Sequence, residues 1–238
     1  MPMIANLQKR NRQPEVMDDP ALDAQRFLGS LVGLRRINAI TGSSGILWTA
    51  LKRQVSQLDG GSIRVLDVAS GAGDTAISLW KRAQSDNRAI EIHGCDINPH
   101  AVNFATAAAH RASANVRFFQ HDVLNGAFPE GYDFVISSLF LHHLDEVNAQ
   151  TFLKVAADAA KEGILIHDLI RGKAGYLFAY YGVRLITRSA VVHVDAPRSV
   201  EGAFTIEEAR AMGEAAGLRG CRVSPRRPFR FLLEWSRS

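Results

Sequence analysis

The stretch VLDVASGAGDTAI, residues 65–77, decides the fold of this chain. Its apolar start predicts a buried strand, and Gly71 and Gly73 predict a tight turn at which the backbone approaches a ligand closely. A helix that begins at such a turn directs free N–H groups at the bound group. Asp67 lies inside the strand and Asp74 at the helix start. The stretch therefore predicts a βα unit that binds a nucleotide-like cofactor.

Two classes of cofactor compete for this turn. Residues 71–76 fit the dinucleotide fingerprint G-x-G-x-x-G/A. A dinucleotide carries a pyrophosphate, however, which the carboxylate of Asp74 would repel. S-adenosylmethionine has no phosphate, and Asp67 and Asp74 would attract its ammonium and sulfonium groups. The acids favour S-adenosylmethionine, with a dehydrogenase and a turn that binds nothing as the alternatives.

Further apolar runs predict the rest of a parallel sheet. They cover residues 89–97, 116–124, 132–144 and 163–170, and helical stretches of about a dozen residues alternate with them. Asp96 ends the first run, where an acid can accept hydrogen bonds from both ribose hydroxyls or cap the next helix. Asp122 ends the second run, where it can accept from an adenine amino group. The pattern predicts a doubly wound α/β fold.

The segments VLDVASGAGD, GCDIN, QHDV and YDFVISSLFLHHL resemble the class I S-adenosylmethionine-dependent methyltransferases. The resemblance runs from about residue 63 to the C-terminus. It implies a Rossmann-like, mostly parallel seven-stranded sheet that a C-terminal antiparallel hairpin closes. The family often has glycine where this chain has Ala69, so we expect a slightly bulkier turn that still binds the cofactor.

The cofactor candidates lie at the glycine turn and at the ends of the predicted strands. The resemblance implies backbone contacts at Ala69, Gly71 and Gly73, and contacts from Asp96, Asp122 and the region of Ser137. Positions next to these residues are also candidates, and Arg36 in the N-terminal segment is a candidate for binding the cofactor carboxylate. The full set is Asp67, Ala69, Gly71, Gly73, Asp74, Thr75, Asp96, Ile97, Asp122, Val123, Ser137, Ser138 and Arg36. No metal ligand is predicted.

Both ends of the chain carry further helices and strands. Residues 17–40 and 46–58 predict two amphipathic helices, which either pack against the sheet or cover the site as a lid. Residues 205–216 predict a helix with a capping box of Thr205 and Glu208. Two strand-like runs, residues 220–224 and 229–235, follow. The predicted organisation is a helical segment or lid over residues 1–60 and a methyltransferase domain over residues 61–238.

Composition limits the classes of function. The 238 residues are 47% hydrophobic and 22% charged, with a net charge of +4, as in an ordinary globular protein. Cys95 and Cys221 lack metal-site spacing and are interpreted as buried thiols. We expect a cytoplasmic protein, because the N-terminus does not resemble a signal peptide and no apolar run reaches the ~18 residues of a membrane span. The C-terminal arginines are interpreted as a solvated hairpin edge rather than a nucleic-acid surface.

Catalytic candidates follow the fourth and fifth predicted strands, where ligands of such sheets bind. A histidine near neutrality can remove the proton of a phenol that accepts a methyl group. His142 is the first candidate, because the resemblance places a residue one turn past the fourth strand near the methyl group. His143 and His167 are the second and third. His193 and Asp195 are expected in a loop above the acceptor.

The acceptor is expected to be a small aromatic molecule. Residues 174–192 are aromatic and aliphatic, and they predict either a core helix or the acceptor wall. The expected wall residues are Tyr176, Leu177, Phe178, Tyr180, Tyr181, Leu185 and Ile186. The segments MDDPALD, LRRIN, HDLIR and SVEGAFTIEEA also resemble bacterial methyltransferases of aromatic polyketide pathways, which implies secondary metabolism.

The sequence thus predicts an O-methyltransferase for a phenolic acceptor. C-methylation of a quinone precursor, a macromolecular substrate, and a module that binds the cofactor without turnover are the alternatives. The oligomeric state, monomer or homodimer, stays open.

Overall fold

Seven strands form one sheet in the computed structural model, which describes residues 6–19, 21–56, 58, 61–126, 128 and 131–237. The strands are β1 (Ile63–Val68), β2 (Ile90–Asp96), β3 (Val116–Gln120), β4 (Tyr132–Ser138), β5 (Ala160–Leu169), β6 (Arg222–Arg226) and β7 (Arg230–Ser236). Their order is β3-β2-β1-β4-β5-β7-β6. β1 to β5 pair in parallel, and β7 is antiparallel to both β5 and β6. The predicted sheet and its C-terminal hairpin are confirmed.

The strand order reverses between β1 and β4, and this reversal determines where a ligand binds. The chain runs outward from β1 to β2 and β3, then returns to β4 on the other side of β1. Connections on opposite faces leave a crevice above the carboxyl ends of these two central strands. The glycine turn after β1 opens into that crevice.

Helices cover both faces of the sheet. They are α1 (Ala24–Thr41), α2 (Ser43–Val55), α3 (Asp74–Ser85), α4 (Pro99–Arg111), α5 (Glu146–Ala159), α6 (Lys173–Leu177), α7 (Val183–Ile186), α8 (Ala190–Gly202) and α9 (Ile206–Ala215). Short 3-10 turns span Val16–Asp18 and Leu141–His143, and a π-helical turn spans Phe178–Gly182. No helix in the described part of the chain is long and apolar enough to cross a membrane.

Each face of the sheet has its own apolar core. On one face, Leu47 and Leu51 of α2 pack with the β1 side chain of Val65, and all three are fully buried. On the other face, Phe152 of α5 packs with Phe231 of β7. The central strands are buried on both faces, which explains why their sequences are continuous apolar runs rather than alternating patterns.

The N-terminal helices differ in bounds from the prediction. The first begins at Ala24 because the Asp23 side chain caps the N–H groups of Gln25 and Arg26; residues 16–18 form only a 3-10 turn. Gly42, with φ +71°, alone separates α1 from α2. Only α1 faces the crevice, since α2 is part of the core.

The C-terminal elements follow the prediction closely. Thr205 and Glu208 form the capping box of α9. Cys95 and Cys221 are buried free thiols.

Residues 174–192 form no single helix, because the π-helical turn and an extended Thr187 interrupt them.

Candidate functional site

A cavity of about 740 Å³ lies above the carboxyl ends of the central strands. Its floor comes from the turns after β1, β2, β4 and β5, and α1 and α8 contribute to its walls. The cavity has the size and the mostly apolar lining that small-molecule sites share. Gly71 of the glycine turn, the acids Asp67, Asp96 and Asp122, and the tandem histidines His142 and His143 all face this one space.

The glycine turn leaves room for a ligand. Gly71 has φ +52°, and a Cβ built on it would meet no atom within 4 Å, so its missing side chain leaves open space. Gly73, at φ +73°, is needed for packing instead, because a Cβ there would lie 2.7 Å from Phe118. Ala69 holds φ +54°, a conformation that glycine would adopt with less strain. The predicted bulkier turn is therefore formed at the expense of local strain.

Two acids form the part of the cavity next to the turn. Asp67 is 1% exposed, and its Oδ2 has no hydrogen-bond partner among the described residues. Burial, followed by the charge of Asp74, raises the pKa of Asp67 well above its usual range. Burial also raises the pKa of Asp74, although a 3.3 Å hydrogen bond from Asn38 opposes it. A cation that entered here would stabilise both carboxylates.

Asp96 and Asp122 stand at the ends of β2 and β3, as predicted. Asp96 accepts hydrogen bonds from the N–H groups of Gly71 at 2.8 Å and Asn98 at 2.9 Å, so it ties the glycine turn to the start of α4, whose N-terminal cap is Asn98. Burial raises the pKa of Asp96 despite these bonds. Asp122 accepts from Leu124 and faces the cavity.

Most cofactor candidates line the cavity, and three do not. Those that line it are Asp67, Ala69, Gly71, Asp74, Thr75, Asp96, Ile97, Asp122, Val123 and Ser138. Gly73 lies behind the turn, and the Ser137 hydroxyl is turned away to donate to the Val68 carbonyl at 3.0 Å. Arg36 is exposed on α1 and does not reach the cavity. The α1 residues that do face it, including Leu34, Ile37 and Asn38, lie on the opposite side of the helix.

His142 and Asp168 form a buried pair beside the end of β4. Asp168 accepts from His142 Nδ1 at 2.6 Å and from the His142 backbone N–H at 3.2 Å. Burial alone would raise the Asp168 pKa, but the charge and hydrogen bond of His142 lower it below its usual value. With Nδ1 held in this way, the imidazole presents Nε2 to the cavity. This is the arrangement that a general base requires.

His143 belongs to a second charged contact at the cavity mouth. Its Nδ1 lies 3.0 Å from Asp18, and Glu15 lies 3.7 Å from His142 Nε2 and 3.9 Å from His143 Nε2. Burial opposes the charged form, yet Glu15 and Asp18 together raise the pKa of His143 to about 9. Asp195 on α8 holds this N-terminal turn in place by accepting from Val16 and Met17.

The structure places His167 outside the cavity, which corrects its prediction as a base. It is 0% exposed on β5, its Nδ1 contacts the Ser138 hydroxyl at 3.1 Å, and burial followed by the charge of Arg230 lowers its pKa to about 3. His193 and Asp195 also differ from the prediction, because they lie on α8 rather than in a loop. His193 contacts the Thr187 carbonyl at 2.7 Å.

Fewer residues of the segment 174–192 line the cavity than the sequence predicts. Gly175, Phe178, Ala179 and Val183 face the cavity at helical spacing. The other expected wall residues do not line it: Tyr176, Leu177, Tyr180, Tyr181, Leu185 and Ile186. A helix presents only every third or fourth residue to one side, and here that side carries a single aromatic ring.

Three residues at the cavity were not predicted as catalytic or cofactor-binding residues, although the sequence places Asp168 with His167 at the end of the fifth strand, facing the acceptor. Glu15 lies in a segment without periodicity, and no signal in the sequence could have marked it. Asp168 adjoins His167, and alternation along β5 would have shown that only one of the two can face a given side. Arg230 is 4% exposed and lines the cavity, whereas it was counted among solvated arginines.

Glu15, His142 and His143 place one ligand atom each within 4.8 Å of one another, a spacing that one divalent ion could bridge. The same three side chains make the charged contacts described above, so we interpret the cluster as a group that can accept and share a proton rather than as a metal site.

Comparison with known proteins identifies the class. Residues 65–163 match a family model described as a methyltransferase domain. The demethylmenaquinone methyltransferase of Thermus thermophilus is 31% identical over 165 residues, which cover 65% of this chain and 73% of that protein. The release factor glutamine methyltransferase of Bacillus subtilis is 32% identical over 80 residues, but these span only 26% of its length.

Solved structures share the fold. An O-methyltransferase family 2 protein from Planctomyces limnophilus, in complex with apigenin, has a TM-score of 0.61 at 15% identity and covers 92% of this chain and 63% of its own. The magnesium protoporphyrin IX methyltransferase of Synechocystis, with bound S-adenosylhomocysteine, has a TM-score of 0.58 at 18% identity, with coverages of 92% and 90%.

The chain belongs to the class I S-adenosylmethionine-dependent methyltransferases. Its cofactor is S-adenosylmethionine rather than a dinucleotide, and the site fits this cofactor: the space at Gly71, the Asp67 Oδ2 that has no partner among the described residues, and the strand-end acids suit a cationic ligand without phosphate. Among the relatives above, the demethylmenaquinone methyltransferase is the one whose length the chain covers most fully.

Proposed function

We propose that the protein transfers a methyl group to a hydroxyl oxygen of a small, mainly apolar aromatic acceptor. The observation that carries this proposal is the buried His142–Asp168 pair, whose 2.6 Å contact leaves His142 Nε2 turned to the cavity. A phenol of pKa near 10 needs such a base at neutral pH, because the ionised oxygen is the better nucleophile.

The acids on one side of the cavity would hold the cofactor. When bound, S-adenosylmethionine would supply an electrophilic methyl group on a sulfonium. We assign Asp96 and Asp122 to its ribose and adenine, and Asp67 and Asp74 to its cationic end. Alignment of two reactants in one cavity supplies much of the rate in such a displacement.

The acceptor side supplies the proton acceptor and the exclusion of water. The hydroxyl proton moves to His142 Nε2 while the hydroxyl oxygen forms its bond to the methyl carbon, whose bond to sulfur breaks. Asp168 stabilises the imidazolium that forms, and Glu15 lies 3.7 Å from the protonated nitrogen. Phe178, Val183 and Ile37 form apolar walls that exclude water from the reacting oxygen.

C-methylation of a quinone precursor is the second candidate. The Thermus relative, named a demethylmenaquinone methyltransferase, supports it at 31% identity over 73% of its length. The same His142 could ionise a hydroxyl so that a ring carbon attacks instead. A macromolecular substrate has weaker support, because the match to the glutamine methyltransferase covers only 80 residues.

Labelled methyl donor, a panel of alkylphenols, quinols and bulk RNA, and magnetic resonance of the product would test the proposal. We expect label in phenols, as an O–CH₃ group, and a decrease of about 10²–10⁴-fold in turnover for His142→Ala with cofactor affinity unchanged. Phe178→Ala should raise the acceptor KM, whereas Tyr181→Ala should not, because Tyr181 is 54% exposed and outside the cavity. Label only at a ring carbon would favour the quinone alternative, and label only in RNA would refute both.

A further inference from the structure

Arg230 is a buried cation without a buried counterion. It begins β7, is 4% exposed and lines the cavity. Its Nη1 donates to the Pro228 carbonyl at 3.3 Å, and its Nε has no partner among the described residues. No carboxylate of the described residues lies within salt-bridge distance of Arg230. Burial lowers its pKa to about 10, and the charge of Asp168 opposes this.

Another buried arginine shows how this fold normally compensates such a charge. Arg171 donates to both carboxylate oxygens of Glu208, at 2.8 and 2.6 Å, and to the Ala203 carbonyl at 2.6 Å. Burying a guanidinium without such partners is strongly unfavourable. Asp168 does not pair with Arg230 in this way: its carboxylate accepts from His142 and Leu169, and only its charge acts on Arg230, from beyond salt-bridge distance. The missing partner of Arg230 is therefore expected to enter with a ligand.

The position of Arg230 assigns that ligand to the acceptor. β7 is separated from β1 by β4 and β5, so with strand spacings of about 4.8 Å Arg230 lies roughly 14 Å from the strand that carries the glycine turn. Arg230 pairs in register with Leu169, which also lines the cavity, and Pro228, Phe229 and Phe178 line it as well. Neither neighbour on that face supplies a counter-charge, because His167 is neutral and the residue paired with Arg230 on β6 is another arginine, Arg226.

We propose that Arg230 binds an anionic oxygen group of the acceptor, either a carboxylate or an ionised enol, while His142 acts on the hydroxyl to be methylated. This proposal rests on the small-acceptor function above and specifies its substrate class. Because Nη1 is engaged by Pro228, the Nε edge of the guanidinium is left for the acceptor, and an arginine binds planar oxygen anions along such an edge. The acceptor would then be an acidic aromatic compound with an apolar substituent.

Matched acceptors test this assignment. The first pair is an alkyl-substituted hydroxybenzoic acid and the alkylphenol that lacks its carboxylate; an alkylphenol that also carries a 1,3-diketone side chain supplies the ionised enol beside a separate hydroxyl. We expect the wild-type enzyme to favour one of the acidic compounds over the neutral phenol by about 10- to 100-fold in kcat/KM, the range for a charged hydrogen bond. Arg230→Gln should abolish that preference mainly through KM, and Arg230→Lys should restore part of it.

Arg227→Gln is the matched control, because Arg227 is an exposed arginine of the same hairpin outside the cavity. Arg227→Gln should leave kcat/KM unchanged for both the acidic and the neutral acceptor. Cofactor affinity measured by calorimetry identifies any Arg230 variant that has misfolded, and in that case Arg230→Lys alone decides. The assignment would be overturned if the wild-type enzyme has the same kcat/KM for the acids and the phenol. It would also be overturned if the Arg230 variants lower kcat/KM for the acids and the phenol in the same proportion.

Direct binding separates this proposal from the function on which it rests. Calorimetry with a methoxybenzoic acid and with the neutral methoxybenzene, both in the presence of S-adenosylhomocysteine, needs no turnover. Tighter binding of the acid that Arg230→Gln abolishes supports the anion site even if no phenol is methylated. Equal binding of the two compounds refutes it even if phenols are methylated.

Discussion

Asp168→Asn should reduce turnover although the new side chain has the same shape. Asp168 Oδ1 lies 2.6 Å from His142 Nδ1, and Oδ2 accepts from the His142 backbone N–H at 3.2 Å. An asparagine oxygen placed at Oδ1 would leave its NH₂ facing that backbone N–H, donor against donor. Turned the other way, the NH₂ would donate to Nδ1 and force the proton onto Nε2, where it prevents base catalysis.

Either arrangement removes the negative charge that stabilises the imidazolium. We therefore expect kcat to fall by about 10²–10⁴-fold, the usual contribution of a general base, which corresponds to roughly 3–5 kcal/mol of activation free energy. Initial rates at saturating acceptor measure this loss, and calorimetry should show cofactor affinity close to wild type. Asp145→Asn is the control, because Asp145 caps α5 outside the cavity and asparagine caps equally well.

A double mutant checks that the two residues act as a unit. Asp168→Asn combined with His142→Ala should be no slower than His142→Ala alone, because residues of one catalytic unit are not additive. If Asp168→Asn keeps turnover within a few-fold of wild type, or if the two losses multiply, Asp168 does not act through His142.

Three further changes test other parts of the site. Ala69→Gly should raise the free energy of unfolding by about 0.5–1 kcal/mol in denaturant titration, since relief of 1–2 kcal/mol at φ +54° outweighs the entropy of glycine. Asp67→Asn should raise the Tm of the cofactor-free protein, because burial and Asp74 raise the Asp67 pKa, and should weaken cofactor binding about 10- to 100-fold by calorimetry. The pKa of His143 is raised from its ordinary 6.5 to about 9, so protonated His143 stabilises the folded protein fully below pH 6.5, and this stabilisation is lost as the pH rises through about 9. The plot of Tm against pH should therefore be flatter for His143→Gln than for the wild type, and an unchanged plot would contradict this.

The cofactor half of the site could be predicted from the sequence because it is local. Asp96 and Asp122 stand at or just after the end of a strand, and Asp67 lies inside the strand that precedes the glycine turn. Once the strands are assigned, parallel pairing brings their ends to one edge. Ala69 shows the limit of this reasoning, because its left-handed backbone follows from the turn and not from its own preference.

The acceptor half could be predicted only in part: His142 was named from its place after the fourth strand, but its contacts join distant segments. His142 and Asp168 are 26 residues apart, and Asp195 holds Val16 across 179 residues. The aromatic segment failed for a different reason. A π-helical turn at Phe178–Gly182 and the loop after Ile186 decide which of its side chains face inward, and residue type alone cannot show this.

Both halves of the cavity contain buried charged groups that lack an opposite charge within salt-bridge distance among the described residues. The cofactor side carries Asp67, Asp74 and Asp96, whose pKa values are all raised by burial, so the protein meets the cationic cofactor with acids that are costly to ionise without it. The acceptor side carries Arg230, a cation that is equally costly without an anion. In the proposed function, each ligand would therefore bring the opposite charge that these buried groups lack. Methyl transfer from a sulfonium to an ionised oxygen then cancels the charge on both reacting atoms, and apolar walls that exclude water favour this neutralisation over separate solvation of the two ions.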